Sequence, residues 1–476
     1  MKRSSPHTLG VLVALSCPAC DLASRSLGEF VEPRPQRGDL DLDQADGLSH
    51  LTVPAIDTEV EVVPLGDLDV DGYDDWAVVK PDMSGAGRVY LLYGRGDGYP
   101  ADAQLESIAD AIFTVDPGAS EEESSWLDIR ALGDLDADGY LDVALAVDDV
   151  ASDDIGNYAR TSSVHILWGA EERTGGTLRI SSLPLAVSTA SGFPARTSLR
   201  LHGAGDLDGD GAADVMLRAE GALASNSLTL FQGPRPRAAP LSSERARPVL
   251  DGQFEGAWGF VAGSDLDRDG FDDVVLTEGE PAGWRVSVVF GAPSGDLDVS
   301  LASPGRRFTS AMATAADVGD VNGDGAPDLL IDVGGLAKVF AGPFARAQDP
   351  VVLGSTEDPP NPYRFAAAIV GDIDGDGDED LAVSREVAND GTDVVGLYLG
   401  GPAFADAVEG IAAVVEFISA PVRPAEEETG ASPIGLRLGD VNGDGFEDWA
   451  ALVRPACSGA CERPIPLHVI YGASYG

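Results

Sequence analysis

Seven copies of one acidic phrase carry the clearest chemistry in this sequence. Numbered from its first aspartate, each copy has Asp at position 1, Asp or Asn at position 3, Asp at position 5, Gly at position 6 and Asp at position 9. Carboxylate oxygens are the ligands that hard divalent cations prefer, and Ca²⁺ accepts irregular coordination geometry. Alternate residues of a tight turn can direct their carboxylates to one centre, and Gly at position 6 allows the sharp bend. The phrase therefore predicts a Ca²⁺ loop, up to seven in the chain.

The candidate metal ligands are positions 1, 3, 5 and 9 of loops 1 to 7, with the backbone carbonyl of position 7 as a further donor. In chain order they are Asp67, Asp69, Asp71 and Asp75; Asp134, Asp136, Asp138 and Asp142; Asp206, Asp208, Asp210 and Asp214; Asp265, Asp267, Asp269 and Asp273; Asp320, Asn322, Asp324 and Asp328; Asp372, Asp374, Asp376 and Asp380; Asp440, Asn442, Asp444 and Asp448. Loops 5 and 7, with Asn322 and Asn442, carry one charge fewer, so we expect them to bind more weakly.

Two other interpretations of the acidic phrase are disfavoured. An EF-hand needs a bidentate Glu at position 12, and here position 12 is apolar in every copy, from Val78 to Ala451. Asp and Gly are also common in ordinary turns. Seven turns with the same four acidic positions argue against that explanation for the set.

The net charge excludes one class of partner. The 476 residues include 80 acidic and 31 basic side chains, which gives a net charge of −49. Such a chain repels phosphate groups, so neither nucleic acid nor an anionic membrane surface is expected as a partner. Bound divalent ions would neutralise part of this charge, and we expect folding to depend on Ca²⁺ because crowded carboxylates disfavour the folded loop.

The acidic phrase belongs to a longer repeat with a mean period of about 62 residues. An apolar strand precedes each loop, a second follows it directly, and a third ends in glycine, as in "VYLLYG" (Val89–Gly94). A fourth candidate strand lies between units, for example Ala111–Val115 or Val414–Ile418. Four short strands per period without helical periodicity predict an all-β fold, a seven-bladed β-propeller of four-stranded blades. The calcium loops would lie between the first and second strand of each blade.

The termini of the chain suggest its domain organisation. Residues 1–20 have the basic start and short apolar run of an export signal peptide. Residues 21–49 are interpreted as an acidic flexible linker, and residues 50–476 as the propeller, with strand 50–56 closing the last blade. Cys17 and Cys20 each lie at the end of a stretch that resembles a bacterial lipobox. The alternatives are lipid attachment at one of these cysteines and plain cleavage of the leader.

This leader predicts an exported protein at the bacterial cell surface, in the periplasm or outside the cell. A membrane contact is expected only through the candidate N-terminal lipid anchor. In an exported protein, Cys457 and Cys461 are predicted to form a local disulfide. A zinc site would need two further ligands, and no other Cys or His lies nearby in the sequence.

The repeats resemble the FG-GAP repeats of the integrin α-subunit head, also described as VCBS repeats in bacterial surface proteins. The resemblance covers nearly all of residues 50–476, and the "FG" part survives as "WGF" at Trp258 or "RFA" at Phe365. It implies a seven-bladed propeller with Ca²⁺ held by the loop positions given above. No inserted ligand-binding domain, stalk or C-terminal membrane helix accompanies the repeats, so the partner recognition of integrins is not carried over.

Three classes of function compete. A calcium-stabilised binding or adhesion module is favoured, with a protein or glycan ligand on the face opposite the calcium loops. Glu121–Glu123 and Glu426–Glu428 make that face acidic, which suits a basic protein patch or a glycan. The alternatives are a calcium-dependent polysaccharide lyase or phospholipase-like enzyme, and a purely structural surface protein. No catalytic constellation is visible: "GASYG" around Ser474 matches G-x-S-x-G but lacks the strand–turn–helix context of a nucleophile elbow.

Overall fold

Short strands account for nearly all regular secondary structure in the computed structural model of this chain. It describes residues 40–41, 49–53, 60–80, 87–100, 102–115, 124–152, 158–189, 197–221, 226–237, 241, 246–252, 258–280, 283–293, 306–308, 313–333, 337–344, 351–355, 366–387, 392–402, 404, 415–418, 433–453 and 465–472. Helical residues are few within these ranges: α1 covers Leu105–Ile108, and a 3₁₀ turn covers Ile180–Ser182. The predicted all-β class is confirmed.

The strands follow one another along the chain with the spacing of the repeat. They are Leu40–Asp41 (β1), Ser49–Val53 (β2), Glu61–Gly66 (β3), Asp75–Lys80 (β4), Arg88–Leu92 (β5), Asp102–Gln104 (β6), Ala111–Thr114 (β7), Ser124–Gly133 (β8), Asp142–Ser152 (β9), Tyr158–Leu167 (β10), Gly176–Arg179 (β11), Leu185–Ser188 (β12), Thr197–Gly205 (β13), Asp214–Gly221 (β14), Asn226–Phe231 (β15), Ala246–Gly252 (β16), Trp258–Ser264 (β17), Asp273–Glu280 (β18), Gly283–Val289 (β19), Arg306–Phe308 (β20), Ala313–Gly319 (β21), Asp328–Val333 (β22), Ala337–Ala341 (β23), Val351–Ser355 (β24), Ala366–Gly371 (β25), Asp380–Val387 (β26), Thr392–Tyr398 (β27), Val415–Ile418 (β28), Pro433–Gly439 (β29), Asp448–Val453 (β30) and Ile465–Ile470 (β31).

These strands form seven small sheets, numbered here by their first strand. In each sheet the first four strands pair antiparallel. In hydrogen-bonded order the sheets are β3-β4-β5-β7-β11 (sheet 1), β8-β9-β10-β12 (sheet 2), β13-β14-β15-β16 (sheet 3), β17-β18-β19-β20 (sheet 4), β21-β22-β23-β24 (sheet 5), β25-β26-β27-β28-β1 (sheet 6) and β29-β30-β31-β2-β6 (sheet 7).

The inner strands have continuous apolar sequences because both of their faces pack against neighbouring sheets. In β4, Asp75 through Val79 are all buried and Lys80 is half-buried. Trp76 and Val78 pack towards sheet 7, while Ala77 and Val79 pack towards sheet 2. The alternation of side chains across a strand therefore sends apolar groups into two different interfaces.

Apolar clusters lie between neighbouring sheets. They join sheets 1 and 2, 2 and 3, 3 and 4, 4 and 5, and 5 and 6, and a further cluster joins sheet 7 to sheet 1. The first strands also contact one another in sequence from β3, β8 and β13 through β17, β21 and β25 to β29, and β29 contacts β3. Each first strand thus lies beside the first strands of two other sheets.

Three sheets hold a fifth strand, which the prediction of four strands per blade did not include. β11 pairs parallel with β7, β6 with β2, and β1 with β28. Each added strand is two to four residues long and covers backbone groups that a sheet edge would otherwise leave unpaired. Within residues 21–49, interpreted as a flexible linker, residues 40 and 41 form β1 and residue 49 begins β2.

An N-terminal strand completes sheet 7. The strand predicted over residues 50–56 corresponds to β2, which pairs antiparallel with β31 and places His50 opposite His468. It is the fourth strand of a sheet whose other three antiparallel strands come from the far end of the chain.

Several predicted features lie outside the described residues. These are the signal peptide with Cys17 and Cys20, the Cys457–Cys461 disulfide, and the acidic segments Glu121–Glu123 and Glu426–Glu428. Among the described helical residues, no segment has the length and apolar character needed to cross a membrane.

Candidate metal centres in the acidic loops

Each acidic loop connects the first and second strand of its sheet, as loop 1 does between β3 and β4. Its backbone twice enters the left-handed region. Position 6 is Gly in every loop, with φ between 79° in Gly325 and 97° in Gly377. Position 4 is also left-handed in all seven loops; four of them have Gly there, and the others have Val70, Ala137 and Arg268 with φ of 57°, 59° and 63°.

The aspartates at positions 1 and 5 hold this loop conformation. Asp67 Oδ1 accepts the N–H of Asp71 at 3.0 Å and Asp67 Oδ2 accepts the N–H of Gly72 at 2.9 Å. Asp71 Oδ1 accepts the N–H of Tyr73 at 3.1 Å. The same three hydrogen bonds recur in the other six loops. The seven loops therefore share one conformation as well as one sequence.

Five loops bring three predicted carboxylate ligands together, with one oxygen from each within 4.8 Å of the others. The groups are Asp67, Asp69 and Asp71; Asp134, Asp136 and Asp142; Asp206, Asp208 and Asp210; Asp265, Asp267 and Asp269; and Asp372, Asp374 and Asp380. Position 9 thus joins the group in loops 2 and 6, and position 5 joins it in loops 1, 3 and 4. In loops 5 and 7 the amide oxygens of Asn322 and Asn442 each accept the N–H of position 5 at 2.9 Å.

The electrostatics of these loops fit a divalent cation. The Oδ1 atoms of Asp69 and Asp136 are buried and no described residue donates a hydrogen bond to either, although Oδ2 of each pairs with an arginine. In loop 6, burial first and the neighbouring Asp376 second raise the pKa of Asp374 to about 6. Buried carboxylate oxygens without donors are costly unless a cation compensates them. Carboxylate oxygens are a donor type that suits Ca²⁺, which takes about six to eight oxygen ligands.

The aspartate at position 9 has a structural role that the sequence did not reveal. All seven are at most 1% exposed. In Asp75, Oδ2 accepts the N–H of Leu68 at 2.8 Å, and Oδ1 accepts the N–H of Gly94 at 2.8 Å. Both hydrogen bonds recur in every loop. Position 9 was predicted as a ligand that closes the site; here it joins the start of the loop to the end of the third strand, and burial raises the pKa of Asp75 to about 8.

The glycine that ends each third strand is required by close approach. A Cβ on Gly94 would lie 2.5 Å from Tyr73 Cβ and 2.6 Å from the carbonyl oxygen of Asp74. The corresponding position in sheet 2, Gly169, would place a Cβ 2.3 Å from the carbonyl oxygen of Leu141. The sequence contained a signal for this glycine, because it recurs after the acidic loop in all seven repeats.

Loops of neighbouring sheets are hydrogen-bonded to one another. In loops 3, 4, 6 and 7 the N–H of position 8 donates to the carbonyl oxygen of position 1 in the preceding loop, for example from Ala213 to Asp134 at 2.8 Å and from Glu447 to Asp372 at 3.1 Å; in loop 5 position 8 is Pro327, which has no N–H. The same bond joins loop 1 to loop 7, from Asp74 to Asp440 at 2.9 Å. The acidic loops therefore lie side by side on one edge of the sheets.

Two arginines contact the carboxylates of loops 1 and 2, and sequence reasoning missed both. Arg173, which follows the third strand of sheet 2, pairs with Asp69 and Asp71. Arg237, which follows the third strand of sheet 3, pairs with Asp136 and Asp138. Each arginine is about 100 residues from its partners in the chain, so the acidic phrase alone gives no sign of it.

Comparisons with known proteins identify the repeat. Residues 249–331 match the family model described as "FG-GAP-like repeat". That segment begins in β16 and ends in β22, so it includes two complete acidic loops, loops 4 and 5. A search of curated proteins found no match.

Solved structures with distant similarity include three of known type. Prolyl oligopeptidase B from Galerina marginata is 11% identical with a TM-score of 0.34, over 83% of this chain and 55% of that one. The fission yeast SREBP–SCAP binding domains are 10% identical with a TM-score of 0.35, over 90% and 94%. An engineered GH43 glycoside hydrolase is 10% identical with a TM-score of 0.18, over 89% and 97%. This chain therefore spans about half the length of the oligopeptidase, and similarities this low carry no functional argument.

The family match, the all-β sheets and the recurring acidic loop agree with one another. The chain contains an FG-GAP-like repeat at residues 249–331, which supports its place among FG-GAP/VCBS repeat proteins.

Proposed function

We propose that this protein is an exported, calcium-binding seven-bladed β-propeller that acts as a binding or adhesion module for a protein or glycan. The observation that carries the proposal is the repetition of one loop conformation seven times with the same carboxylates at positions 1, 3 and 5 or their Asn equivalent. A site built once can be an ordinary turn. A site built seven times in register with the strands is a feature of the fold.

Three contacts support a closed propeller. An apolar cluster joins sheet 7 to sheet 1, β29 contacts β3, and the N–H of Asp74 donates to the carbonyl of Asp440. The same kinds of contact join the sheets that follow one another in the chain. Closure removes the exposed edges that a linear array of sheets would have. These contacts support our proposal that the sheets adopt the integrin-like arrangement of FG-GAP repeats.

The loop residues would hold Ca²⁺ through the oxygens of positions 1, 3 and 5 in loops 1, 3 and 4, and through those of positions 1, 3 and 9 in loops 2 and 6. A bound ion would supply two positive charges to a turn that otherwise carries three or four carboxylates. The chain's own residues set the site beforehand, because positions 1 and 5 already fix the loop by backbone hydrogen bonds. Binding would then relieve repulsion rather than reshape the loop.

The loops on the opposite face would supply the ligand surface. They differ in length and composition, as binding loops on a rigid scaffold do, and their acidic residues favour a basic protein patch or a glycan. The leader of the chain favours export to the cell surface or beyond, with lipid attachment at Cys17 or Cys20 as the one membrane contact.

Calorimetric titration with Ca²⁺, with Mg²⁺ as the control ion, tests the metal part of this proposal. We expect several Ca²⁺ ions per chain, up to seven, and a higher melting temperature in Ca²⁺ than in chelator. Absence of Ca²⁺ binding would overturn it.

Glycan arrays and cell-surface pull-downs, with and without Ca²⁺, test the binding role. We expect a specific glycan or protein to be retained, and retention to fall in chelator as the scaffold loosens. Retention of neither, by a chain shown to be folded, would favour the structural alternative. Release of unsaturated sugars from polysaccharides would favour the lyase alternative.

A further inference from the structure

We propose that Arg173 and Arg237 act as internal cations of loops 1 and 2, so that these two loops bind Ca²⁺ more weakly than they would without the arginines and keep their shape in its absence. This inference rests on the proposed function, because it assigns different affinities to the same set of sites.

The two arginines make the same contacts in successive repeats. In each, Nε contacts Oδ2 of position 3 and Nη2 contacts Oδ2 of position 5, which are Asp69 and Asp71 for Arg173 and Asp136 and Asp138 for Arg237. One guanidinium therefore bridges two carboxylates of the predicted metal site. A planar guanidinium suits this bidentate arrangement, and it stays charged at any physiological pH.

An aromatic ring and a backbone carbonyl hold each guanidinium in place. The Cζ of Arg173 lies 4.8 Å from the centre of the Tyr93 ring, and the Cζ of Arg237 lies 5.7 Å from that of Trp168. Each Nη2 also lies near the carbonyl of the glycine that ends the third strand, at 3.5 Å for Gly94 and 3.3 Å for Gly169. The repetition of the whole set argues for a built arrangement rather than a chance surface pair.

The sequence distinguishes these two loops from loops 3 and 6. Each arginine lies four residues after the glycine that ends a third strand, and it reaches the loop of the preceding sheet. The repeats that follow loops 3 and 6 have Gly295 and Gly476 at the same sequence position; neither has a charged side chain, and both lie outside the described residues. In loop 3 the amide of Gln232 contacts Asp208.

The remaining three loops differ from one another at this position. Phe404 and Gly98 occupy it beside loops 5 and 7, whose affinity is already expected to be lower because position 3 is Asn. Beside loop 4 the residue is Arg346, which lies outside the described residues. The direct comparison for loops 1 and 2 is therefore the same two loops with their arginines replaced.

The physical consequence has two parts. A guanidinium beside the site repels an incoming divalent ion and occupies oxygens that would attract it, so Ca²⁺ affinity falls. In the absence of metal, the same guanidinium offsets the repulsion between the two carboxylates. It also ties one sheet to the next, because Arg173 belongs to the repeat of sheet 2 and its partners to the loop of sheet 1.

The test compares the full chain with the double variant Arg173→Gln, Arg237→Gln. Arg95→Gln is the matched control. Arg95 also pairs with a carboxylate, that of Asp110 at 2.8 Å, and its Cζ lies 4.9 Å from the centre of an aromatic ring. Its described side-chain contacts include no carboxylate of an acidic loop. Side-chain exposure is also similar, at 33% for Arg95 and 38% for Arg173.

Two measurements are made on each protein. The first is calorimetric Ca²⁺ titration. Tb³⁺ luminescence sensitised by Trp168 reports on metal binding at loop 2, and Trp168→Phe provides the blank for that signal. The second is the melting temperature in chelator. We expect the double variant to gain at least about tenfold in affinity at two sites, equivalent to about 1.4 kcal/mol each, and to melt at a lower temperature in chelator. Arg95→Gln should leave the Ca²⁺ affinities unchanged.

The outcomes separate this inference from the proposed function. If the wild-type chain binds Ca²⁺ but the double variant binds with equal or lower affinity, the arginines do not compete with the ion and the inference is overturned, while the proposed function stands. If neither protein binds Ca²⁺, the proposed function fails and the inference fails with it.

Discussion

Replacement of Asp75 by Ala tests the structural role of position 9 without any appeal to metal. The side chain is fully buried, and its two oxygens accept the N–H groups of Leu68 and Gly94, both at 2.8 Å. Alanine leaves these two donors buried without an acceptor. Each such group costs about 1 to 3 kcal/mol, so the gross loss is about 2 to 6 kcal/mol.

Part of this loss is offset, because burial raises the pKa of Asp75 to about 8 and the variant no longer buries that carboxyl group. We therefore expect a net destabilisation of about 2 to 4 kcal/mol. The assay is chemical denaturation in chelator at neutral pH, followed by tryptophan fluorescence. Trp76 adjoins the substitution, is fully buried and donates a hydrogen bond to Tyr99 at 2.7 Å, so it reports on sheet 1.

Asp97→Ala is the control, since Asp97 is an exposed aspartate of the same repeat. It should change the midpoint very little. If Asp75→Ala were no more destabilising in chelator than Asp97→Ala, position 9 would act only through a bound ion, and the structural role argued here would be refuted.

Further predictions concern the close-packed glycines, the left-handed loop positions and a buried histidine. Gly169→Ala should destabilise by about 1 to 3 kcal/mol because its Cβ would lie 2.3 Å from a backbone carbonyl oxygen; Gly175→Ala, whose nearest neighbour is 3.5 Å away, should be close to neutral by the same thermal melts. Val70→Asn should raise stability by about 1 kcal/mol, since Val70 has φ of 57° and is 59% exposed, and Asn tolerates the left-handed region; an unchanged or lower melting temperature would contradict this. Burial, with nearby arginines, lowers the pKa of His202 to about 3, so the unfolded chain binds the proton first and stability should fall as pH drops from about 6.5 towards 3. His202→Gln should remove that part of the pH dependence in denaturation curves recorded between pH 7 and about 5; an unaltered slope would show that His202 does not contribute.

The repeat predicted most of the strand arrangement because its signals are local. An apolar run beside a Gly-rich acidic turn specifies a strand, a loop and a strand from neighbouring residues alone. The predicted outer strands Ala111–Val115 and Val414–Ile418 correspond to β7 and β28 within one residue at either end. Position 6 was also predicted for the right reason, since every glycine there has a positive φ.

The remaining features depend on contacts between distant segments. The parallel strand β1 pairs with β28, more than 370 residues away, and nothing in its two residues indicates that partner. The pairing of Arg173 with loop 1 depends on which sheet lies beside which. The burial of position 9 likewise follows from the fold, because an Asp next to other Asp residues suggests a ligand until its two N–H donors are known.

The most direct test of the central claim is a crystal structure of the full chain grown in saturating Ca²⁺, with anomalous difference density used to locate the ions. We expect seven sheets around one closed ring and Ca²⁺ in the acidic loops, with carboxylate oxygens of positions 1, 3 and 5 about 2.3 to 2.6 Å from the ion. Loops without ions, or a ring with a number of sheets other than seven, would contradict the account.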